Sequence, residues 1–332
     1  MSVRVLKPGL LTTVQDGGRP GHAALGIGRA GAMDVPAWRL ANALAGNTQG
    51  EAVLEITLLG PTLCFERPAV IALTGAAVAA ELDGQPLPGW TCCRVPVGAV
   101  LRLGGFAHGC RAWLAIRGGF ALPPVLGSRS TDLHAGLGPF DGRALQAGDV
   151  LPVADAAALP ALPPGDALHV ATWQLDPRPW SDDGIPLALL PGSHRDALDE
   201  VSHRALFDPA GFAVSKDANR TASRLDGARL RLRTPLELVS EAVLPGTVQL
   251  PPSGQPIVLL AEAPVTGGYP RIGQLAAVDL PRLVQRRPGD AVCFRETTLD
   301  EAQQRLAARQ RRLDRLLAAI AQRLDTPSHG NA

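Results

Sequence analysis

Glycine and proline, 36 and 30 of the 332 residues, interrupt the apolar sequence at close intervals through most of this chain. Short apolar runs bounded by such breakers are too short for helices and read as strands. Candidates between Ala52 and Gly119 are AVLEITLL, TLCFE, AVIALTG, VAAELDG, TCCRVPVG, VLRLGG and RAWLAIRGG. Asp83-Gly84 and Gly104-Gly105 are read as the turns between them, because glycine takes a positive φ without steric cost. Many short strands in succession predict a closed barrel or sandwich, since closure removes exposed edges.

A Pro/Ala-rich stretch from Val153 to Ala167 has the composition of a linker. Beyond it strand-like runs resume: LHVATW, PLALLPG, ARLRLRT, GTVQLP, QPIVLLAEA and DAVCFRE. Both halves approach their ends through a Gly-Asp pair before an apolar run, at Gly148 and Gly289. The reading is therefore a mainly β protein of two domains, residues 1–152 and 168–297, distantly similar to each other. Helix is expected in three places. Val35–Ala45 follows Asp34 as N-cap and carries Pro36 in the tolerated first turn, and 278–285 is a short second segment. Residues 298–325 open on a Thr298/Glu301 capping box and carry an apolar stripe through Leu313, Leu317, Ile320 and Leu324, interrupted by Arg309.

Formal net charge is +1 with both signs interspersed, so no overall field attracts nucleic acid or an acidic membrane. No apolar run reaches the ~20 residues that span a bilayer, and the N-terminus lacks a signal-peptide core, so a cytoplasmic protein is expected. Five cysteines, odd in number and without a C-x-x-C pair, are read as buried apolar residues. Neither lysine, Lys7 or Lys216, stands in a phosphate-binding G-K-[ST], and no H-E-x-x-H or H-x-E pattern offers a metal site. GIGRAG, Gly26–Gly31, has the G-x-G-x-x-G spacing of a dinucleotide loop, but a turn cluster precedes it where a buried strand is required. Its glycines are read as shaping a surface loop.

Polar residues concentrate in four stretches. The first, TTVQDGGRPGH, supplies Thr12, Thr13, Gln15, Asp16, Arg19 and His22, with Asp34 shortly after. Arginine recognises carboxylates through a bidentate fork, so this loop suits a small polar ligand as well as a capped turn. The others are GSRSTD (127–132), VSKDANRTASRLDG (214–227) and AEAPVTGGYPRIG (261–273), the last holding the single tyrosine, Tyr269. None contains a G-x-S-x-G elbow or an S-x-x-K pair.

The run KPGLLTTVQDGGRPGHAALGIGRAGAMDVPAWRLANALAGN resembles the start of the allophanate hydrolase subunit 2 family, also called the KipA or biotin-dependent carboxyltransferase-like family. The resemblance continues through AVLEITLLGPTLCF, RAWLAIRGGF, LGSRSTD, GRALQAGD and QLPPSGQPIVLLAEAPVTGGYPRIGQLAAVDLPRLVQRRPGD. It implies two cyclophilin-like β-barrels. It also implies one component, inactive alone, of an ATP-dependent 5-oxoprolinase that opens 5-oxo-L-proline to L-glutamate with KipI-like and LamB/YcsF-like partners. The alternatives it carries are a carboxyltransferase using carboxybiotin, with biotin supplied in trans, and a KipA-type regulator that binds a KipI-like inhibitor.

On this resemblance Asp16, Glu262 and Tyr269 are the implied catalytic residues. Gln15, Arg19, Asp34, Ser128, Arg129, Thr131, Lys216, Arg220 and Gln249 are the implied substrate-binding residues. The chain departs from the pattern at Pro264 and Val265, where a Gln-Thr pair is usual, at Thr221–Ser223, and at Pro139, where a glycine is usual.

Overall fold

The computed structural model describes residues 2–48, 50–157, 162, 167–181 and 186–326. The chain forms two compact units, neither continuous in sequence. The first comprises Met1–Gly18, Asp34–Ser181 and Arg312–Ala332; the second comprises Arg19–Met33 and Asp182–Arg311. These segments do not coincide with the limits expected at 152 and 168. Residues 19–33 join the second unit because Met33 packs in its core and Gly31 is bound there by Arg220. Residues 169–170 stay with the first because they pair with its sheet. Most of the expected 153–167 linker lies outside the described residues.

The first unit is a ten-stranded, nearly closed barrel sheet, so the mainly β expectation holds. Its strands are β1 (Ser2–Lys7), β2 (Leu11–Gln15), β3 (Val53–Thr57), β4 (Thr62–Phe65), β5 (Ala69–Leu82), β6 (Gln85–Pro86), β7 (Cys92–Val95), β8 (Val100–Ile116), β9 (Val150–Pro152) and β10 (His169–Val170). The main path runs β10-β7-β5-β8-β4-β1-β9, with β2 joined through β3 to β8 and β6 joined to β5. Alternate residues such as Val5, Leu54, Ile56, Leu63, Ile71 and Leu114 point into one core, the period-2 consequence of the pleat.

Four expected strands are in fact two. β5 runs through Gly75 and β8 through Gly104-Gly105, so only Asp83-Gly84, with φ of 50° and 83°, is a hairpin turn. At Gly75 (φ 89°) a Cβ would lie 2.6 Å from Arg111 O and 2.7 Å from the Trp113 ring, so the glycine marks a bulge with close backbone approach.

The second unit is an eight-stranded sheet in the order β19-β12-β13-β16-β15-β18-β11-β20, plus a two-stranded β14-β17 pair. Its strands are β11 (Leu187–Pro191), β12 (Phe212–Val214), β13 (Ala222–Gly227), β14 (Glu241–Ala242), β15 (Thr247–Gln249), β16 (Ile257–Leu259), β17 (Thr266–Gly267), β18 (Arg271–Leu275), β19 (Ala291–Val292) and β20 (Phe294–Glu296). β11 and β20 run parallel. The strand expected at ARLRLRT does not form. The amides of Leu230, Arg231 and Arg233 there bond to Gly254 O, Ser202 Oγ and Ala197 O, three different segments, so no ladder is built apart from a Leu198–Leu232 bridge.

The Gly-Asp echo between the halves is structural. In the first unit Gly148 N donates to Val5 O and Val5 N to Asp149 O; in the second Gly289 N donates to Val214 O and Val214 N to Asp290 O. Both aspartates accept from the amide three residues earlier, Gln146 and Arg287, at 2.7 Å.

The expected helices form. α1 (Val35–Leu44) is capped by Asp34, whose Oδ1 accepts from Ala37 N at 3.0 Å. Asp34→Ala is expected to cost about 1–2 kcal/mol, read as a lower urea midpoint with unchanged slope. α2 (Pro139–Gly142) is a single turn with Phe140 and Asp141 at φ of 54° and 56°, left-handed and strained for residues with a Cβ. α3 (Glu200–Leu206) and α4 (Leu280–Val284) are short.

α5 (Leu299–Asp325) begins with half of the expected capping box: Thr298 Oγ1 accepts from Glu301 N at 3.3 Å. The Glu301 carboxylate instead accepts from Thr297 and Arg295. Arg309, an interruption of the stripe in sequence, donates to Val278 O. Among the described residues no helix is long and apolar enough to cross a membrane. The cysteines are free, with Cys92, Cys93 and Cys110 buried but Cys64 and Cys293 only half-buried. Burial pushes the Cys92 thiol to about 11 and the Cys93 thiol to about 12, so both stay protonated and inert at neutral pH.

Candidate functional site

The polar residues expected near one another fall into two clusters, one in each unit. In the first unit β2 alternates Thr12 and Val14 toward one face with Thr13 and Gln15 on the other, and Asp16 follows at its end. Asp16 Oδ1 accepts from Ser128 Oγ and Ser130 Oγ, each at 2.6 Å, and from Gly18 N at 2.8 Å. Its Oδ2 accepts from Arg129 N at 2.6 Å.

The two serines also accept amide protons, Ser128 Oγ from Ser130 N and Ser130 Oγ from Asp16 N, both at 2.9 Å. Each hydroxyl has thus spent its single proton on Asp16. Asp16, Ser128 and Ser130 form a frame that fixes the 128–131 backbone, and the aspartate is a buried acceptor with four donors around it.

Groups with remaining capacity surround that frame. Arg129 Nε donates to Leu122 O at 2.7 Å, which aims the guanidinium and leaves its Nη nitrogens for an anion. Gln15 Nε2 donates to Thr13 Oγ1 at 3.0 Å and to Thr131 O at 2.9 Å. Gln15 Oε1 and Thr131 Oγ1 are both buried without a partner among the described residues. Gly138, pressed with φ 117° against Ser130 O, carries the strained Pro139–Gly142 turn onto this segment.

Asp34 lies in the same unit, buried, and serves as the α1 cap. A second layer escapes sequence reasoning. Thr13 faces Glu55, Glu55 faces Trp113 and Trp113 faces Thr74 across β2, β3, β8 and β5, all at most 1% exposed. Trp113 Nε1 donates to Glu55 Oε2 at 3.1 Å, and Thr74 Oγ1 to Ala37 O in α1 at 2.8 Å. The available signal was Glu55 itself, a carboxylate between Leu54 and Ile56 in a run otherwise read as apolar.

The second unit holds Arg19, Arg220, Glu262, Gln249, Tyr269 and Lys216, so the stretch Thr12–His22, one cluster in sequence, is shared out between the units. Arg220 Nε and Glu262 Oε1 form a fully buried ion pair at 2.5 Å, and Arg220 Nη2 donates to Gly31 O at 2.7 Å. The main chain reinforces it, Glu262 N donating to Arg220 O. GIGRAG therefore leads into a segment clamped to this pair, with Gly28 against Ala263 O. Arg19 is buried and its amide donates to Arg29 O.

Gln249 is buried on β15, and its Nε2 has no partner among the described residues. Tyr269 is 45% exposed, just before β18, and Lys216 is exposed on the turn after β12. Among the described residues no hydrogen bond or ion pair joins Lys216 to either cluster. Pro264 and Val265, at the departure from the family pattern, precede β17, and Val265 O accepts from Val243 N. Among the described residues no group of three His, Cys, Asp or Glu can hold a metal.

With this geometry in place, residues 25–296 match the family described as carboxyltransferase domain, subdomain A and B. The chain is 40% identical to the C subunit of the Escherichia coli 5-oxoprolinase over 93% of its own length and 94% of that protein. It is 30% identical to the urea amidolyase of Lachancea kluyveri over 87% of its length, but spans only 16% of that larger chain. The crystal structure of Kluyveromyces lactis urea carboxylase superposes with a TM-score of 0.82 at 28% identity, covering 95% of this chain and 29% of that one.

Proposed function

The chain belongs to the family of carboxyltransferase domains with subdomains A and B, and within that family we propose that it is the C subunit of an ATP-dependent 5-oxoprolinase, opening 5-oxo-L-proline to L-glutamate with KipI-like and LamB/YcsF-like partners. The observation that carries this reading is the near end-to-end match to a protein named for that role, 94% of whose length is covered. On this reading ATP is consumed by the assembly as a whole; in this chain neither lysine stands in a G-K-[ST] phosphate loop.

The first-unit cluster suits a lactam. Gln15 Oε1 is an acceptor for its N–H, and Thr131 Oγ1 a donor for its carbonyl oxygen. Arg129 offers its Nη nitrogens to a carboxylate, and the Asp16 frame holds all three in place before substrate arrives. A rigid donor set costs no reorganisation as charge develops on the lactam oxygen.

The reading is tested by mixing the three proteins with 5-oxo-L-proline and ATP and omitting each in turn. Glutamate release that needs this chain supports it, and a folded mixture that releases none refutes it. Arg129→Ala is expected to raise KM at least tenfold, the loss of a charge-assisted contact of about 1.5–3 kcal/mol. An unchanged KM and rate removes Arg129 from the site.

A second reading has its own support in the urea carboxylase structure, which shares the fold. There the same amide-complementary groups would hold urea while carboxybiotin, supplied in trans, donates the carboxyl group. Carboxylation of urea by this chain with a biotinylated carrier, and no 5-oxoproline turnover, would favour it. Tight binding of a KipI-like partner with neither activity would point to the regulator instead.

A further inference from the structure

One segment of the second unit stands apart from its sheet. From Arg233 to Ala242 every residue except Leu238 is exposed, with Val239 86% exposed, and 235–240 has no regular structure. The segment leaves the unit where Arg233 N donates to Ala197 O and returns to the core at buried Val243. Between these ends its one strand pairing among the described residues is the two-residue β14-β17 ladder, Glu241 with Gly267 and Ala242 with Thr266. Its tie to the main sheet is Arg271 on β18, which forms an ion pair with Glu241 and a 3.4 Å hydrogen bond to Ala242 O. Glu241 is more than half exposed, so this pair is weakened by water and salt. Few buried contacts and one exposed ion pair are the marks of a segment that opens locally at small cost.

Beneath this arm lies a polar group with unused capacity. Gln249 is 4% exposed, and its Nε2 is buried with no partner among the described residues. Gly267 lies directly over it: a Cβ there would stand 2.4 Å from Gln249 Nε2 and 3.5 Å from Val243 Cγ1. A Cβ at 267 would overlap the amide, so glycine is what lets the base of the arm lie directly on that nitrogen, which an acceptor reaches when the arm lifts. A buried amide donor left unpaired is costly, and it is regained when an acceptor arrives.

We propose that Gln249 is the floor of a binding notch for a carbonyl or carboxylate oxygen of a small ligand, and that the β14-β17 arm is the flap that opens to admit it and closes over it. The inference rests on the 5-oxoprolinase reading for the ligand's identity, since a lactam acid carries both kinds of oxygen, but its geometry stands on the second unit alone. Gln249 supplies the donor, Gly267 the close-fitting cover, and the Arg271–Glu241 pair the latch. The exposed Leu236 and Val239 lie on the moving part, and Tyr269 follows its base.

The test is hydrogen exchange of residues 236–244 and 266–267 in the full chain, with and without 5-oxo-L-proline, urea or acetate as probes. In the wild type the arm is expected to exchange much faster than β18 and to slow when an oxygen-bearing probe is added. Glu241→Gln is expected to speed exchange of the arm several-fold without a probe. Gln249→Met, close in volume but without a donor, is expected to abolish the probe effect. Gly267→Ala is expected to do the same by pushing the Gln249 amide out of position.

In an assembled complex that turns over 5-oxo-L-proline, both variants are expected to raise KM about tenfold with kcat little changed, and the double variant to be no worse than either alone. An arm that exchanges as slowly as β18 and does not respond to Glu241→Gln overturns the flap. Probe protection that survives Gln249→Met, or protection by no probe in the wild type, overturns the notch. If the wild-type complex shows no turnover, the 5-oxoprolinase reading falls while the exchange experiment still decides the notch.

Discussion

Glu262→Gln is expected to destabilise the second unit by about 3–5 kcal/mol, the cost of leaving a buried charge without its partner. Arg220 and Glu262 are each 2% exposed at the side chain, and the amide of glutamine offers an oxygen but no charge. The guanidinium also holds Gly31 O, so its displacement loosens residues 19–33 at that point. For a unit of this size the loss corresponds to a fall in melting temperature of roughly 10 °C, measurable by calorimetry.

A paired Arg220→Met/Glu262→Leu variant is expected to recover most of that stability, because desolvation penalties vanish together with the attraction. The same pair decides whether Glu262 moves a proton. A double variant that folds and retains turnover reduces the carboxylate to a clamp, and one that folds yet loses all turnover shows that the reaction needs Glu262 or Arg220. A Glu262→Gln protein that melts within a degree of the wild type would show that the pair carries little.

Asp279→Asn is expected to have an effect of the same order, about 3–5 kcal/mol, by releasing α5. Asp279 is fully buried and accepts from Ala188 N at 2.9 Å, from Arg282 Nη1 at 2.9 Å and from both Nη nitrogens of Arg305 at 2.9 and 3.0 Å. Arg305 lies on α5, so a single carboxylate joins β11, α4 and the helix. Burial pushes the Asp279 carboxyl up, but the hydrogen bonds from Arg305, Ala188 N and Arg282 outweigh it and hold the group below its ordinary 3.8.

A depressed carboxylate contributes stability that is fully present above its unfolded value and is lost as pH falls through the folded one. The contribution should therefore be flat from pH 5 upward and disappear only below about pH 3.8. The Asn variant is expected to lack this acid-sensitive component, and hydrogen exchange along 299–311 is expected to accelerate at pH 7. Unchanged protection in that part of the helix would show that apolar packing around Ala302 holds it without the aspartate.

Much of the local structure was legible because it depends on neighbours in sequence. The Asp34 cap, the Asp83-Gly84 turn and the 298–325 helix each follow from side chains within four residues of the backbone they serve. Where the reading failed, a distant partner decided. Gly104-Gly105 looked like a turn but lies inside β8, because β5 offers it a continuous pairing partner. ARLRLRT looked like a strand, but its amides are claimed by three separate segments.

The candidate site divides in the same way. Residue type and motif pointed to Gln15, Asp16, Ser128, Arg129 and Thr131, and the structure does bring these five together, over more than a hundred residues of sequence. Which of them retain a free hydrogen-bonding atom was invisible. Ser128 has one proton whatever its neighbours, and only the fold shows that Asp16 has taken it. Glu55, Asp279 and the arm over Gln249 gave weak or no local signal, since a lone carboxylate in an apolar run and a glycine in a loop each have many ordinary explanations.

By itself, then, the sequence determined the strand-rich composition, the capped helices, the Gly-Asp turns and the family, all properties set by short-range sterics, side-chain chemistry and ordered motifs. The tertiary structure alone decided the division into units, the capture of residues 19–33 by Arg220, and which buried polar atoms are satisfied. These are settled by pairings between residues far apart in the chain, where burial makes each unmatched charge or amide costly and so selects one partner among many.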